Sequence, residues 1–280
     1  VARLRDMGVA LVSLGVQSFH AAHLEAIGRT YVPATAGDAL SRLVSAGFAS
    51  VNADLMFALP GQTAEEVVAD LDRAAALGAD QVTAYPLFTF PYTPVGQYLR
   101  LNDVQLPNLR ARRTQYRAIC GWSARRGFDR VSVWGFKRGS APRYSSVTRS
   151  GYIGIGPGAG SHLPGGFAFN SFDYATWSQA ARGGTPAVAL WMPFSPEMAG
   201  WWWLYWRLYD TRVPLDQLGD TLGPDAPRVR SWLRLGELMG LASLADAFVS
   251  NASGAMHLAA AMGARVVAIF GATDERATGP

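Results

Sequence analysis

The sequence predicts an α/β protein whose N-terminal part is the second half of a parallel β/α barrel, followed by an accessory α+β and helical region and a C-terminal βαβ fragment. Three observations carry this. Strand-like runs recur at Val9–Phe19, Val51–Phe57 and Gln81–Leu87, with amphipathic helical stretches between them. Along each run small or polar side chains alternate with branched apolar ones, as in strands whose outer face packs on helices. Three such units do not close a barrel, and the chain opens on VARLRDMG, which reads as the last turns of a helix stopped by Gly8. The expectation is therefore a chain that begins inside a domain.

Taken in order, Val12, Leu14 and Val16 face one way, and Ser13, Gly15 and Gln17 the other. Helices are expected through His23–Ile27 and Ala36–Ser45, the latter closed by Gly47. The stretch VNADLMFALPGQT then alternates Val51, Ala53 and Leu55 with Asn52, Asp54 and Met56, turns sharply at Leu-Pro-Gly, and starts a helix at Thr63 that ends by Gly78. A carboxylate on such a strand is costly to bury without a partner. At a strand end of a β/α barrel it is a candidate for chemistry, and the bland alternative is a cap on the following loop. Gln81–Leu87 puts Thr83, Tyr85 and Leu87 on one face.

Leu106–Gly127 reads as a helix with Arg110, Arg113 and Arg117 on one face, a solvated face before an anion-binding one. Gly154-x-Gly156-x-x-Ala159 imitates a dinucleotide fingerprint, but Pro164 and two glycines follow where the binding helix would run, so that reading is rejected. His162 is left open between structural and functional roles. Ser195–Ser243 reads as three helices, Pro196–Tyr209, Leu215–Thr221 and Arg228–Gly240, with an aromatic stripe of Trp202, Tyr205, Trp206 and Tyr209 expected to serve the core. The segments divide as 1–105, 106–194, 195–243 and 244–280.

Composition narrows the function classes. Nearly half the residues are apolar, 16% are charged, and a net charge of +4 does not imply nucleic acid. The single lysine, Lys137, amid arginines reflects coding bias. The single cysteine, Cys120, excludes internal disulfides and any multi-cysteine metal site carried by this chain, and fits a reducing cytoplasm. No signal peptide is legible in Val1–Gly8 and no apolar run reaches the length of a membrane span; the Trp201–Trp206 run is broken by Arg207 and Asp210.

The runs LVSLGVQSFHAAHLEAIGRTY, VNADLMFALPGQT and VTAYPLF resemble the radical S-adenosylmethionine enzymes of the oxygen-independent coproporphyrinogen III oxidase type, a group that includes haem chaperones and anaerobic haem-degrading methyltransferases. The resemblance implies a radical-adenosylmethionine barrel, a tetrapyrrole substrate, and adenosylmethionine held by Gln17, Arg29 and Asp54, with Tyr85 and Leu87 lining the adenosine pocket. It also implies a [4Fe–4S] cluster on a CxxxCxxC loop, which this sequence does not contain, so the chain as given is expected to be inactive in reductive cleavage. The YIGIGPGA segment resembles the glycine-rich join between barrel and accessory region, its Ser145-Ser146-Val147-Thr148 lead-in the haem-degrading branch, and residues 195–243 a winged-helix-like region.

From Leu244 the strand Ala247–Ser250, helix Ser253–Met262 and strand Val266–Phe270 resemble the donor-binding half of heptosyltransferase-like glycosyltransferases. Ser253, Gly254, His257 and Thr273 take the matching sugar-nucleotide positions, while Ala252 replaces the usual aspartate. The functional expectation is thus a radical-adenosylmethionine oxidoreductase-like protein acting on a porphyrin or haem, with a glycosyltransferase or a haem-binding chaperone as alternatives. No catalytic residue, metal ligand or oligomeric state is assigned.

Overall fold

The structure is a computed structural model; it describes residues 1–88, 97, 101, 104–145, 148–223, 248–251, 260 and 266–269. The chain divides into two compact units, Val1–Tyr144 with Gly236–Pro280, and Ser145–Leu235.

In the first unit the expected alternation becomes three parallel strands: β1 (Leu11–Gln17), β2 (Ser50–Phe57) and β3 (Gln81–Pro86). Helices α1 (Ala2–Asp6), α2 (Ala21–Ala26), α3 (Pro33–Ser45) and α4 (Ala64–Ala76) surround the crossovers. The outer face of the sheet is the core. Val16, Val51, Ala53, Leu55, Val82 and Ala84 pack under Leu40 of α3 and Val67, Leu71 and Ala74 of α4. Helix α5 (Leu109–Arg126) adds Ile119 and the fully buried Trp122, starts at an Asn108 cap and stops at Gly127 in the left-handed conformation. Arg110 and Arg117 are exposed, in keeping with a solvated face.

The sheet does not continue as a fourth parallel strand. Two short strands that the sequence reading missed, β4 (Phe128–Arg130) and β5 (Gly135–Arg138), run antiparallel to one another, and β5 is antiparallel to β3, giving the order β1-β2-β3-β5-β4.

The second unit holds an antiparallel sheet, β6 (Gly160–Leu163), β7 (Gly166–Asn170) and β8 (Val188–Pro193), with helix α6 (Tyr174–Arg182) between β7 and β8. The glycine-rich stretch runs into strand β6 and not into a helix, as the rejection of a dinucleotide site requires. Gly154 is needed there because a Cβ would lie 2.2 Å from the Gly160 carbonyl oxygen. β8 was missed by the sequence reading and is exposed along its whole length. Helices α7 (Pro196–Tyr209) and α8 (Leu215–Leu222) form as expected and share a small core of Leu204, Leu218 and Leu222. The aromatic stripe serves the core only in part: Trp202 packs on Phe167 and Phe194, whereas Tyr205 is exposed. The expected third helix lies outside the described residues.

In the C-terminal segment, β9 (Phe248–Asn251) and β10 (Val266–Ile269) pair in parallel. No helix among the described residues is long and apolar enough to cross a membrane.

Candidate functional site

The inner face of β1-β2-β3 is polar because each strand alternates and the register aligns the polar members. Ser13 stands beside Asn52, and Gly15 beside Asp54, which in turn faces Thr83. The Ser13 hydroxyl donates to Asp54 Oδ2 at 2.7 Å, and Asn52 Nδ2 donates to Asp54 Oδ1 at 2.8 Å and to Ser13 Oγ at 2.7 Å. The Thr83 hydroxyl donates to Asn52 Oδ1 at 2.9 Å. Burial pushes the Asp54 carboxyl above the ordinary carboxylate range, and the bonds from Ser13 and Asn52 hold it partly back.

Asp54 therefore does not cap the loop that follows β2. Glutamines do that work. Gln62 Oε1 accepts from Leu59 N–H at 3.2 Å, Gln115 Oε1 accepts from Ala58 N–H at 3.0 Å, and Gln115 Nε2 donates to the Gln62 carbonyl at 2.6 Å. The loop needs this support because Ala58, at φ 59°, occupies the left-handed region without being glycine. Thr63 and Glu66 then form a reciprocal capping box that starts α4.

Gln17 ends β1 in a tight turn, with φ 65° and the Ser18 N–H donating to the Val16 carbonyl at 2.8 Å. The register with β2 shifts here, and the Gln17 amide folds back over Gly15, where a Cβ would lie 2.7 Å from Nε2. Because Gly15 faces Asp54 across the ladder, the Gln17 amide and the Asp54 carboxylate share the inner face. Tyr31, absent from the sequence-based candidates, donates to the Gly15 and Val16 carbonyls at 3.2 and 3.0 Å. Burial raises its hydroxyl pKa, and the charge of Arg29 acts against that rise, which places the exposed Arg29 near this end of β1.

Tyr85 lies on the same face one row beyond Thr83, beside Met56. Leu87 is 4% exposed and packs with Leu59, Ile27, Met56, Val104 and Leu106, an apolar wall at the strand ends. A second residue missed from sequence is Tyr144. The Gln81 side chain grips its backbone through two bonds of 3.1 Å, and burial, with the Asp54 charge, raises its hydroxyl pKa while Ser13 acts against that rise. Nothing local marks Tyr144, whereas the polar alternation of Ser13 and Asn52 was a readable signal. Ser253, Gly254, His257 and Thr273 lie outside the described residues.

The donor set suits an organic ligand with hydroxyl or ammonium groups: a fixed carboxylate, an amide, a nearby guanidinium and an apolar wall. It does not suit an iron–sulfur cluster. Cys120, the one cysteine of the chain, is half-buried in α5 against the core, and no group of three or more His, Cys, Asp or Glu that could hold a metal occurs among the described residues.

Comparison with known proteins shows what the chain resembles. The chain is 33% identical over 165 residues to the haem chaperone HemW of Lactococcus lactis subsp. lactis, covering 58% of this chain and 44% of that protein. It is 29% identical over 236 residues to anaerobilin synthase of Escherichia coli O157:H7, covering 82% and 53%. The chain thus spans about half the length of these curated relatives. In fold it matches coproporphyrinogen III oxidase (HemN) from Escherichia coli, a radical SAM enzyme, with a TM-score of 0.65 and 18% identity over 85% of this chain and 58% of that one. The family model for glycosyltransferase family 9 (heptosyltransferase) matches residues 216–280, beginning inside α8. In sequence the chain is thus similar to haem chaperone HemW and anaerobilin synthase, in fold to a radical SAM enzyme, and over residues 216–280 to glycosyltransferase family 9.

Proposed function

We propose that the first unit is the adenosylmethionine-binding part of a cytoplasmic radical-adenosylmethionine protein acting on a tetrapyrrole. The observation that carries this reading is the hydrogen-bonded Asp54 carboxylate sharing one sheet face with the folded-back Gln17 amide. Asp54 accepts from hydroxyls or the ammonium of the cofactor, Gln17 donates or accepts beside it, and Arg29 approaches the cofactor carboxylate from the strand end. Tyr85 and the Leu87 wall exclude water from the adenosine. The cofactor supplies radical chemistry only when an electron donor is present, and the residues of this chain do not fit an iron–sulfur cluster. Its own contribution is binding and orientation.

Isothermal titration of the chain with S-adenosylmethionine tests this. Asp54→Ala and Arg29→Ala each weaken binding at least about tenfold, the scale of one charge-assisted contact. Equal affinity in wild type and both variants overturns the reading. Absorbance titration with haem separates the haem-chaperone alternative, which requires stoichiometric binding that Asp54→Ala leaves intact.

A second reading rests on the match of residues 216–280 to glycosyltransferase family 9 and on the parallel pairing of β9 with β10. In it Ser253, Gly254, His257 and Thr273 hold a sugar nucleotide. Binding of a nucleoside diphosphate sugar that is lost in His257→Ala supports it, and no binding excludes it.

A further inference from the structure

The cluster beneath Asp54 has a directionality that the assignment of Asp54 alone does not contain. An ionised carboxylate only accepts, so Ser13 and the Asn52 amide must both donate to it. The second Asn52 N–H goes to Ser13 Oγ, which closes a ring of three side chains and leaves Asn52 Oδ1 as an acceptor, the role that Thr83 requires of it. Every proton in the ring points one way. A proton on Asp54 would either displace one of these donors or fill an outward acceptor position that a ligand donor needs. Asn52 has no exposed surface and Thr83 is buried, so their polar groups are committed to this network and not to water.

Each Asp54 oxygen receives one bond within the ring, and a carboxylate oxygen has room for two. The remaining acceptor positions are what a ligand would meet.

We propose that Asn52 and Ser13 are positioning residues that, backed by Thr83, hold Asp54 as an ionised carboxylate aimed at a ligand carrying hydroxyl or ammonium donors. This rests on the reading that adenosylmethionine occupies the inner face of the sheet. Among the described residues, the groups on this side of Asp54 include Ser13 and the folded-back Gln17 amide from β1, Asn52 from β2, Thr83 from β3, and Tyr144, which is titratable.

The test uses the whole chain with carbon-13-labelled aspartate, reading the Asp54 titration by NMR, with Asp54→Asn to assign the signal. Ser13→Ala removes a donor without opening a large hole, and it raises the Asp54 midpoint by about one pH unit, a tenfold change in protonation equilibrium. Ser13→Thr, which keeps the hydroxyl, restores it. Asn52→Asp sets a second carboxylate against the first and raises the midpoint further. The pH at which adenosylmethionine affinity halves moves up by the same amount in Ser13→Ala, whereas a merely structural role would lower affinity equally at every pH. Midpoints in Ser13→Ala and Asn52→Asp within about 0.3 unit of wild type overturn the proposal. The two failures separate: Asp54→Ala without effect on adenosylmethionine binding overturns the cofactor reading, while unmoved midpoints overturn the positioning role whatever binds there.

Discussion

Two carboxylates in the first unit, the half-buried Asp54 and the buried Asp70, are both pushed up by desolvation, yet they sit in opposite kinds of surroundings. Asp70 lies on α4 at 2% exposure and accepts from the Ser18 hydroxyl at 2.8 Å and from the Phe19 N–H at 2.7 Å, with His20 Nε2 at 3.7 Å. It ties the end of β1 to the helix, and beside it His23 pairs with Glu66 at 3.1 Å. Its bonds are to backbone and to a serine that itself accepts from His20 N–H, so it belongs to the scaffold. Among the described residues, Asp54 accepts from two side chains of its own sheet face, one on each oxygen, which leaves further acceptor positions. The direction of a pKa shift therefore does not locate a site. What matters is whether the partners use up the carboxylate or only orient it.

Substitutions can break this comparison. Asp70→Ala has the largest expected effect, a loss of about 3 kcal/mol in urea unfolding, because it orphans a buried N–H and a buried hydroxyl together. Asp54→Ala loses about 1 kcal/mol, since it removes a desolvated charge along with two hydrogen bonds. Equal losses would erase the distinction. Gln115→Ala falls between the two at about 2 kcal/mol, because it frees the strained Ala58 N–H and the Gln62 carbonyl in the loop after β2. Thr63→Ala removes one half of the capping box and costs about 1 kcal/mol, with Thr63→Ser recovering most of it.

The finest test is pH dependence, followed by unfolding midpoints from pH 3 to 8. A carboxyl raised on folding favours the protonated native state, so its contribution is complete below the ordinary carboxyl range and is lost as pH rises through the raised folded value. Wild type therefore loses stability relative to Asp70→Asn as pH rises. Glu66 runs the other way. The Thr63 N–H holds its carboxyl below the usual range, so its contribution is present above that range and is lost as pH falls through the lowered folded value. Glu66→Gln should shift the curve with the opposite sign and, at a partly solvated site, only slightly. The same sign for both variants would show that burial of Asp70 is not what separates them.

Much of the scaffold was legible without coordinates of any kind. The period-two alternation in Val9–Phe19 and Val51–Phe57 is local, so it marked the strands and put Ser13, Asn52 and Asp54 on polar faces. Helix ends were readable for the same reason: Thr63 before Glu66 and Gly127 after Arg126 act within one turn. The strands β4 to β8 were not, because segments of three to six residues acquire strand character from the neighbour they pair with. Asp54 stood out from its place near the strand end, and its alternative role as a loop cap fails because Gln62 and the distant Gln115 take that work.

By itself the sequence determined which residues share a face, where helices start and stop, and that a carboxylate stands near the end of an apolar strand. Those are properties of spacing along one chain. Only the tertiary structure decided that Ser13 meets Asp54 from 41 positions away, that Gln81 reaches Tyr144 across 63, and that Gln17 bends back over Gly15. Strand register and loop closure set those meetings, and both depend on which distant segments bury their apolar faces together.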